Sequence, residues 1–473
     1  MERLKKIGTV KPICSSQVKK STLGIGFEKL DRGVFDPEKA YDKVAEIGVK
    51  WIRIQSGWAR TEKKKGCCDF AWLDSIVENL IRRGLTPWLC LCYGNGIYDE
   101  DAAKVFGAVG CPPIKTEEQK KAWHDYVVET VRHYAGKIEW FEIWNEPDGI
   151  WCWKHGVSGT EYGNFVIATA KAIREGNPDA KVIGGVICLH QLNWITDMIA
   201  TGAVKEMDGF TYHAYSPDEQ RTIYRLRIIK TLCLQSNPDL IFMQGETGTQ
   251  SRSDGAGALA GLAWTPLRQA KFLSRILLAH LFEGVFLNSY FSCMDMIEAL
   301  NGTVEDKSSY LDFGYFGVLG AEFDENGFAT GEYKPKPSYR ALQVLAAIFR
   351  EDYEMKELPV RMVSESSKRL GRNDESPKNI IYKGFVKPNS SSAFVYWKPS
   401  DLLTETFEST ITIETAGICG TPHLIDMLDG SIYEIPENMM EKGNNGIIKF
   451  KNMPVTDYPL LLTFGDFAES NAI

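Results

Sequence analysis

Glu146 stands in "FEIWNEPDG" (141–149) and Glu246 in "LIFMQGETG" (240–248), each near the end of a short apolar run. A carboxyl in such a place can donate a proton, accept one, or attack an electrophilic carbon, depending on its surroundings. Two of them on one pocket can divide the work if their environments push the proton onto one and off the other. Nearby runs supply Arg53 in "VKWIRIQS" (49–56) and the pair His213 and Tyr215 in "MDGFTYHAYS" (207–216). If Arg53 and Tyr215 face Glu246 they hold it ionised, while Glu146, between Trp144 and Pro147, is read as the acid. A lone strand-end glutamate is more often a salt-bridge partner than a catalyst; two in comparable positions reverse that preference. Glu142 has the strand parity of Glu146 but lies deeper, and is read as a buried ion-pair partner for a barrel Arg or Lys.

Eight short apolar runs must position these groups: 22–31, 49–56, 85–95, 138–147, 180–188, 207–216, 240–248 and 284–292. Amphipathic stretches such as 37–48, 70–84, 116–136, 266–284 and 334–349 lie between and after them. Alternation of this kind implies parallel strands covered by helices, and eight units close into a (β/α)8 TIM barrel. An open doubly wound sheet would want a G-x-G-x-x-G turn after an early strand, which "GIGFEKLDRG" does not supply. The barrel is assigned to residues 22–352. From 353 to 473 the runs are short, β-rich and separated by Asn, Gly, Pro and Ser, which reads as an antiparallel β-sandwich domain. Its polar stretch 364–378 is read as a loop. Whether the N-terminal segment 1–21 pairs with that sandwich is left open.

In a barrel of this kind the working residues sit at the C-terminal ends of the strands. The candidates in strand order are Glu28 and Asp31, Arg53 and Trp58, Tyr93 and Asn95, Asn145 and Glu146, His213 and Tyr215, Glu246, and Tyr290. The paired Glu146 and Glu246, with an arginine, amides and aromatics, suit cleavage of a glycosidic bond, where one carboxyl protonates the leaving oxygen and the other attacks the anomeric carbon. Trp151 and Trp153, in the loop "GIWCWKHG" (149–156), are weighed as sugar-stacking rings against plain loop packing. Trp51, Trp72 and Trp140 are read as core. The small-residue loop 252–261 is either a mobile cover or an ordinary solvent loop.

Composition narrows the partners. The net charge is −8 over 473 residues, which argues against nucleic acid or an anionic membrane surface. No stretch approaches the ~20 apolar residues of a membrane span. The 11 cysteines are scattered, without C-x-x-C pairs or histidines at ligand spacing, so neither a metal nor a cofactor is expected. The first 20 residues carry no secretory apolar core, and with the reduced thiols this gives a cytoplasmic expectation.

"WNEPD" followed by "QGETG" resembles the clan A glycoside hydrolases, whose catalytic carboxylates stand on strands four and seven. The resemblance implies that Glu146 is the acid/base and Glu246 the nucleophile of a retaining, double-displacement mechanism. It further implies that Asn145 touches the sugar 2-hydroxyl and that Arg53 supports the nucleophile. "YHAY" is similar to the strand-six motif of glycoside hydrolase family 39, which implies that His213 and Tyr215 line the subsite of the cleaved sugar. Strand eight often ends in Trp in that clan; here Tyr290 and Phe291 stand there, and Trp264 is the alternative floor. The expected reaction is hydrolysis of β-linked glycosides or short oligosaccharides. An endo-acting β-glycanase and a non-catalytic sugar-binding protein are the alternatives, and a homo-oligomer is left open.

Overall fold

The computed structural model of the protein describes residues 1, 3–364, 380–399 and 401–472. Eight parallel strands form a closed barrel. They are β1 (Leu23–Gly26), β2 (Trp51–Gln55), β3 (Thr86–Leu91), β4 (Trp140–Ile143), β5 (Lys181–Ile187), β6 (Gly209–His213), β7 (Ile241–Glu246) and β8 (Leu287–Tyr290). Each of the eight apolar runs contains one of them. Gly26 on β1 lies opposite Arg53 on β2, and Ile25 lies opposite Tyr290 as β8 returns to close the ring.

The outer helices begin where the local chemistry allows. Thr116, Ser158, Asp218 and Thr265 each accept a backbone N–H of the first turn that follows, satisfying a donor that has no partner inside the helix. These caps open the helices Glu117–His133, Gly159–Gly176, Glu219–Cys233 and Pro266–Phe282. The stretch 37–48 departs from a full helix, forming a 3-10 turn at Pro37–Lys39 and a short helix at Tyr41–Ala45. Between β8 and the helix Pro337–Ile348 the chain makes two small hairpins. Met296–Ile297 pairs with Phe313–Gly314, and Leu319–Phe323 with Ala329–Pro335.

Beyond the barrel, two antiparallel sheets share an apolar core. Phe394, Tyr396, Leu460, Leu462 and Phe464 come from an eight-stranded sheet, and Ile411, Ile413, Phe450 and Val455 from a four-stranded one. Strand Lys5–Val10 joins the larger sheet, antiparallel to Ser431–Glu434 and Ser470–Ala472. The polar stretch 364–378 lies, apart from Ser364, outside the described residues.

A buried ionic seam ties these sheets to the barrel. Lys271, on the helix after β7, donates to both carboxylate oxygens of Asp457 at 2.9 Å, and both side chains are fully buried. One turn on, Arg275 makes charge-assisted bonds to Glu219 at 2.7–2.9 Å, and Trp397 of the larger sheet donates to the same carboxylate at 3.2 Å. Removing one partner of such a pair strands the other charge in a medium that cannot solvate it. Lys271→Met is therefore expected to lower unfolding stability by about 3–5 kcal/mol in urea titration. A loss under ~1 kcal/mol would show that the seam does not support the junction.

Candidate active site

The site is organised from below by Arg53. Its guanidinium has no solvent exposure and donates to Glu142 at 2.7 Å, to Glu246 at 2.8 Å and to the Asn145 amide oxygen at 2.8 Å. Glu28 lies 3.5 Å from the same group. Burial alone would weaken the charged form, but Glu142, then Cys90, Glu246 and Glu28 around it hold the guanidinium proton more tightly than usual. Glu142 also accepts from Thr211 at 2.8 Å, which makes it the buried partner that fixes the arginine. β2 exists in this register because Ile52 and Ile54 face outward into the helix layer while Arg53 and Gln55 face in.

Glu246 receives two donors, Arg53 Nη1 on one oxygen and the Tyr215 hydroxyl at 2.5 Å on the other. Glu146 is held differently: His213 Nδ1 lies 2.8 Å from one oxygen, and the Trp151 indole N–H donates to the other at 2.5 Å. Burial pushes the Glu146 carboxyl up, yet the His213 hydrogen bond and charge, with Trp151, leave it below the ordinary value. Burial opposes charge on His213 in turn, and Glu246 together with Glu146 raises its pKa. The His213–Glu146 pair thus holds one proton, on the imidazole, which the bond can pass to the carboxyl. The ligand atoms of Glu146, His213 and Glu246 all lie within 4.8 Å of one another. A closest oxygen–oxygen approach within that limit is nearer to the ~5–5.5 Å separation of a double-displacement pair than to the ~6.5–9.5 Å of an inverting one.

The backbone at Glu146 is strained. Trp144 and Glu146 adopt φ of 70° and 44°, in the left-handed region that side chains other than Gly rarely occupy. Such residues cost about 1–3 kcal/mol each and persist only where the surroundings over-determine them. Here the Trp144 indole donates to the Cys152 carbonyl at 2.7 Å, and the rings of Tyr93, Trp123, Trp153 and Phe165 pack around it. Asp148 completes the loop by accepting the backbone N–H groups of Cys188, Leu189 and His190 at 2.7–3.0 Å. It joins the end of β4 to the end of β5.

Above these groups lies a cavity of about 340 Å³. Glu28, Asn145, Glu146, Trp151, Tyr215 and Glu246 all reach it. Arg53 and His213, expected to touch substrate, have no exposed surface and act through the carboxylates instead. Five further candidates are placed elsewhere. Trp58 donates to Glu62 at 2.6 Å and stacks between Tyr98 and Tyr126. Asn95 donates to the Glu62 carbonyl at 2.8 Å and caps a turn through Ile97 N–H. Trp153 donates to Glu161 at 2.8 Å within the outer aromatic cluster, so of the two loop tryptophans Trp151 faces the cavity and Trp153 is packing. Trp264 is pinned to the Leu259 carbonyl at 2.9 Å and covers Phe272. Tyr290 is fully buried at the end of β8, and its neighbour Phe291 lines the cavity, as the alternation of a strand requires.

Lys29, Gln55, Tyr93, Cys188, Glu298 and Phe316 also line the cavity. Gln55 was legible, since it shares the inward face of β2 with Arg53. Tyr93 was noted at the end of the third run, with Asn95 preferred. Glu298 and Phe316 belong to the hairpin segment after β8, which carries no helical or strand-like periodicity to mark it.

A closed parallel barrel with paired glutamates at the ends of β4 and β7 resembles the clan A (β/α)8-barrel glycoside hydrolases. Residues 36–234 match the model of glycosyl hydrolases family 39. A β-xylosidase of Geobacillus stearothermophilus is 28% identical over 157 residues, 31% of this chain and 31% of the relative. Another, from Caldicellulosiruptor saccharolyticus, is 26% identical over 197 residues, 37% and 38% of the two chains. The matched segments thus span about a third of the length of these curated relatives. A solved family 39 glycoside hydrolase from Bacteroides cellulosilyticus superposes with a TM-score of 0.66 at 17% identity, covering 96% of this chain and 83% of the other. At that identity the likeness is one of fold.

Glu28 offers a pH test of the site's electrostatics. Its carboxyl is buried, and burial, opposed by Arg53 and reinforced by Glu246, raises its pKa from 4.5 to about 8. Between those values the folded chain keeps a proton that the unfolded chain releases, so stability falls as pH rises through that window. Glu28→Gln has no such proton to lose. Melts across the window should show the variant near wild type at its acid end and increasingly more stable towards its alkaline end. The gap should reach a few kcal/mol, at about 1.4 kcal/mol per pKa unit. A gap independent of pH would mean that Glu28 is already ionised at the acid end.

Proposed function

We propose that the protein is a retaining β-glycosidase that hydrolyses β-linked glycosides or short oligosaccharides through a covalent glycosyl-enzyme on Glu246. The observation that carries this reading is the close pair of carboxyls with unlike partners: Glu246 held by Arg53 and Tyr215, Glu146 by His213 and Trp151. In the first step Glu246 attacks the anomeric carbon while Glu146 passes the proton it receives from His213 to the glycosidic oxygen, and the C–O bond to the leaving group breaks. In the second, Glu146 takes a proton from water, whose oxygen attacks the same carbon and releases Glu246. Two inversions return the original configuration. The printed names of the curated relatives make aryl β-xylosides the first substrates to try.

The two roles separate in kinetics. Glu246→Ala should lose at least ~10⁴-fold in activity on every substrate, since no intermediate forms. Glu146→Ala should keep much more of its first step on a dinitrophenyl glycoside than on an alkyl one, because a leaving group of low pKa needs little protonation. Added azide should restore turnover in Glu146→Ala with a β-glycosyl azide product, and in Glu246→Ala with an α-azide. The opposite pairing would exchange the roles, and full activity in both variants would place the reaction elsewhere.

A further inference from the structure

Glu28 is the one strongly buried carboxylate at the cavity whose two oxygens, among the described residues, have no hydrogen-bond donor. It follows the end of β1 and is only 2% exposed. An acceptor pair left dry in this way is costly unless something that enters the cavity satisfies it. Its position is built. A Cβ added at Gly26 would lie 2.1 Å and 2.5 Å from the two carboxyl oxygens, so the carboxyl occupies the space that a side chain at that position would fill. The turn that carries it is fixed from β2: Gln55 Oε1 accepts both the Lys29 backbone N–H at 3.0 Å and the Arg32 guanidinium at 3.2 Å. Lys29 itself is turned aside, donating to the Ile297 carbonyl at 2.9 Å and lying 3.6 Å from Glu298.

Arg53 Nη1 bridges the two carboxylates that matter here, 2.8 Å from Glu246 and 3.5 Å from Glu28. The anomeric carbon must rest against Glu246, and the nearest oxygen of Glu28 can lie no further from that of Glu246 than these two distances laid end to end. That is about the span from the reacting carbon to its far hydroxyls. We propose that Glu28 is a specificity residue that grips two adjacent hydroxyls, O3 and O4, of the sugar whose bond is cleaved, one on each carboxyl oxygen. The substrate class is then a terminal pyranose with both hydroxyls free. A substituent on either removes a donor and leaves a carboxyl oxygen unpaired. The proposal rests on the glycosidase reading and deepens it.

The test pairs variants with altered substrates. Dinitrophenyl β-xylopyranoside and its 2-, 3- and 4-deoxy analogues are assayed with wild type, Glu28→Gln and Glu28→Ala, with melting curves to confirm folding. In wild type, loss of O3 or O4 should each lower kcat/KM by about 10–10²-fold, the worth of one hydrogen bond to a buried carboxyl oxygen otherwise left unpaired. In Glu28→Ala those two penalties should shrink to a few-fold, while the 2-deoxy penalty stays. Glu28→Gln keeps one acceptor oxygen and puts an amide donor in place of the other, so both penalties should shrink without vanishing. Equal 3- and 4-deoxy penalties in all three proteins, or a change confined to the 2-deoxy analogue, would overturn the assignment of Glu28 while leaving the glycosidase reading intact. If Glu28→Ala fails to fold, the Gln variant carries the same comparison. No turnover of any parent β-glycoside by wild type would overturn the glycosidase reading, and this proposal with it.

Discussion

One buried cation holds the site together. Arg53 has three carboxylates and a carboxamide within reach of its guanidinium, each from a different strand end or interior: Glu142 and Asn145 from β4 and its loop, Glu246 from β7, Glu28 after β1. A buried arginine is expensive to desolvate, and its attraction to anions offsets that only when every donor is well placed. Here the fork geometry of the guanidinium meets that condition and fixes the relative positions of groups far apart in sequence. Glu142 supplies the compensating charge deep in the barrel. That leaves Glu246 held by the arginine without being tied into a closed pair, and it still presents surface to the cavity.

The same centre explains why the site tolerates strain elsewhere. Positive φ at Trp144 and Glu146, and an orphaned carboxyl at Glu28, are local losses that the barrel core must outweigh. Both losses place reactive or binding groups where relaxation would remove them. If the Glu146 turn relaxed to ordinary strand geometry, its carboxyl would leave His213 and Trp151. If Glu28 found a protein donor, it would have nothing to offer a hydroxyl. Stability given up at these positions is the usual signature of a working site.

Much of this was legible in the sequence. The eight runs and their helices carry the periodicities that position a parallel barrel, and N-E-P with the later G-E-T marked the two carboxyls. The limits are physical. Strand-end reading treats every polar or aromatic residue near a terminus as facing the substrate, whereas alternation sends Tyr290 outward and Phe291 in. Trp58 and Asn95 were misplaced because both turn aside to Glu62, a loop partner that no periodic pattern announces. Trp264 and Trp153 satisfy their indole N–H groups away from the cavity for the same reason. Asp148 was passed over although it adjoins the motif, because its role is to hold three backbone amides of another loop. Contacts across loops depend on tertiary geometry that local spacing does not encode.

The central claim is that Arg53 and Tyr215 make Glu246 the nucleophile of a covalent mechanism. The direct measurement is peptide mass mapping after exposure to a 2-deoxy-2-fluoro-β-glycosyl donor with a dinitrophenolate leaving group. The fluorine slows both steps by destabilising the oxocarbenium-like transition state, and the good leaving group lets the intermediate accumulate. The account predicts time-dependent inactivation with one glycosyl group on the peptide containing "QGETG", attached to Glu246. A label on Glu146 or Glu28, or continued turnover with no label at all, would contradict it.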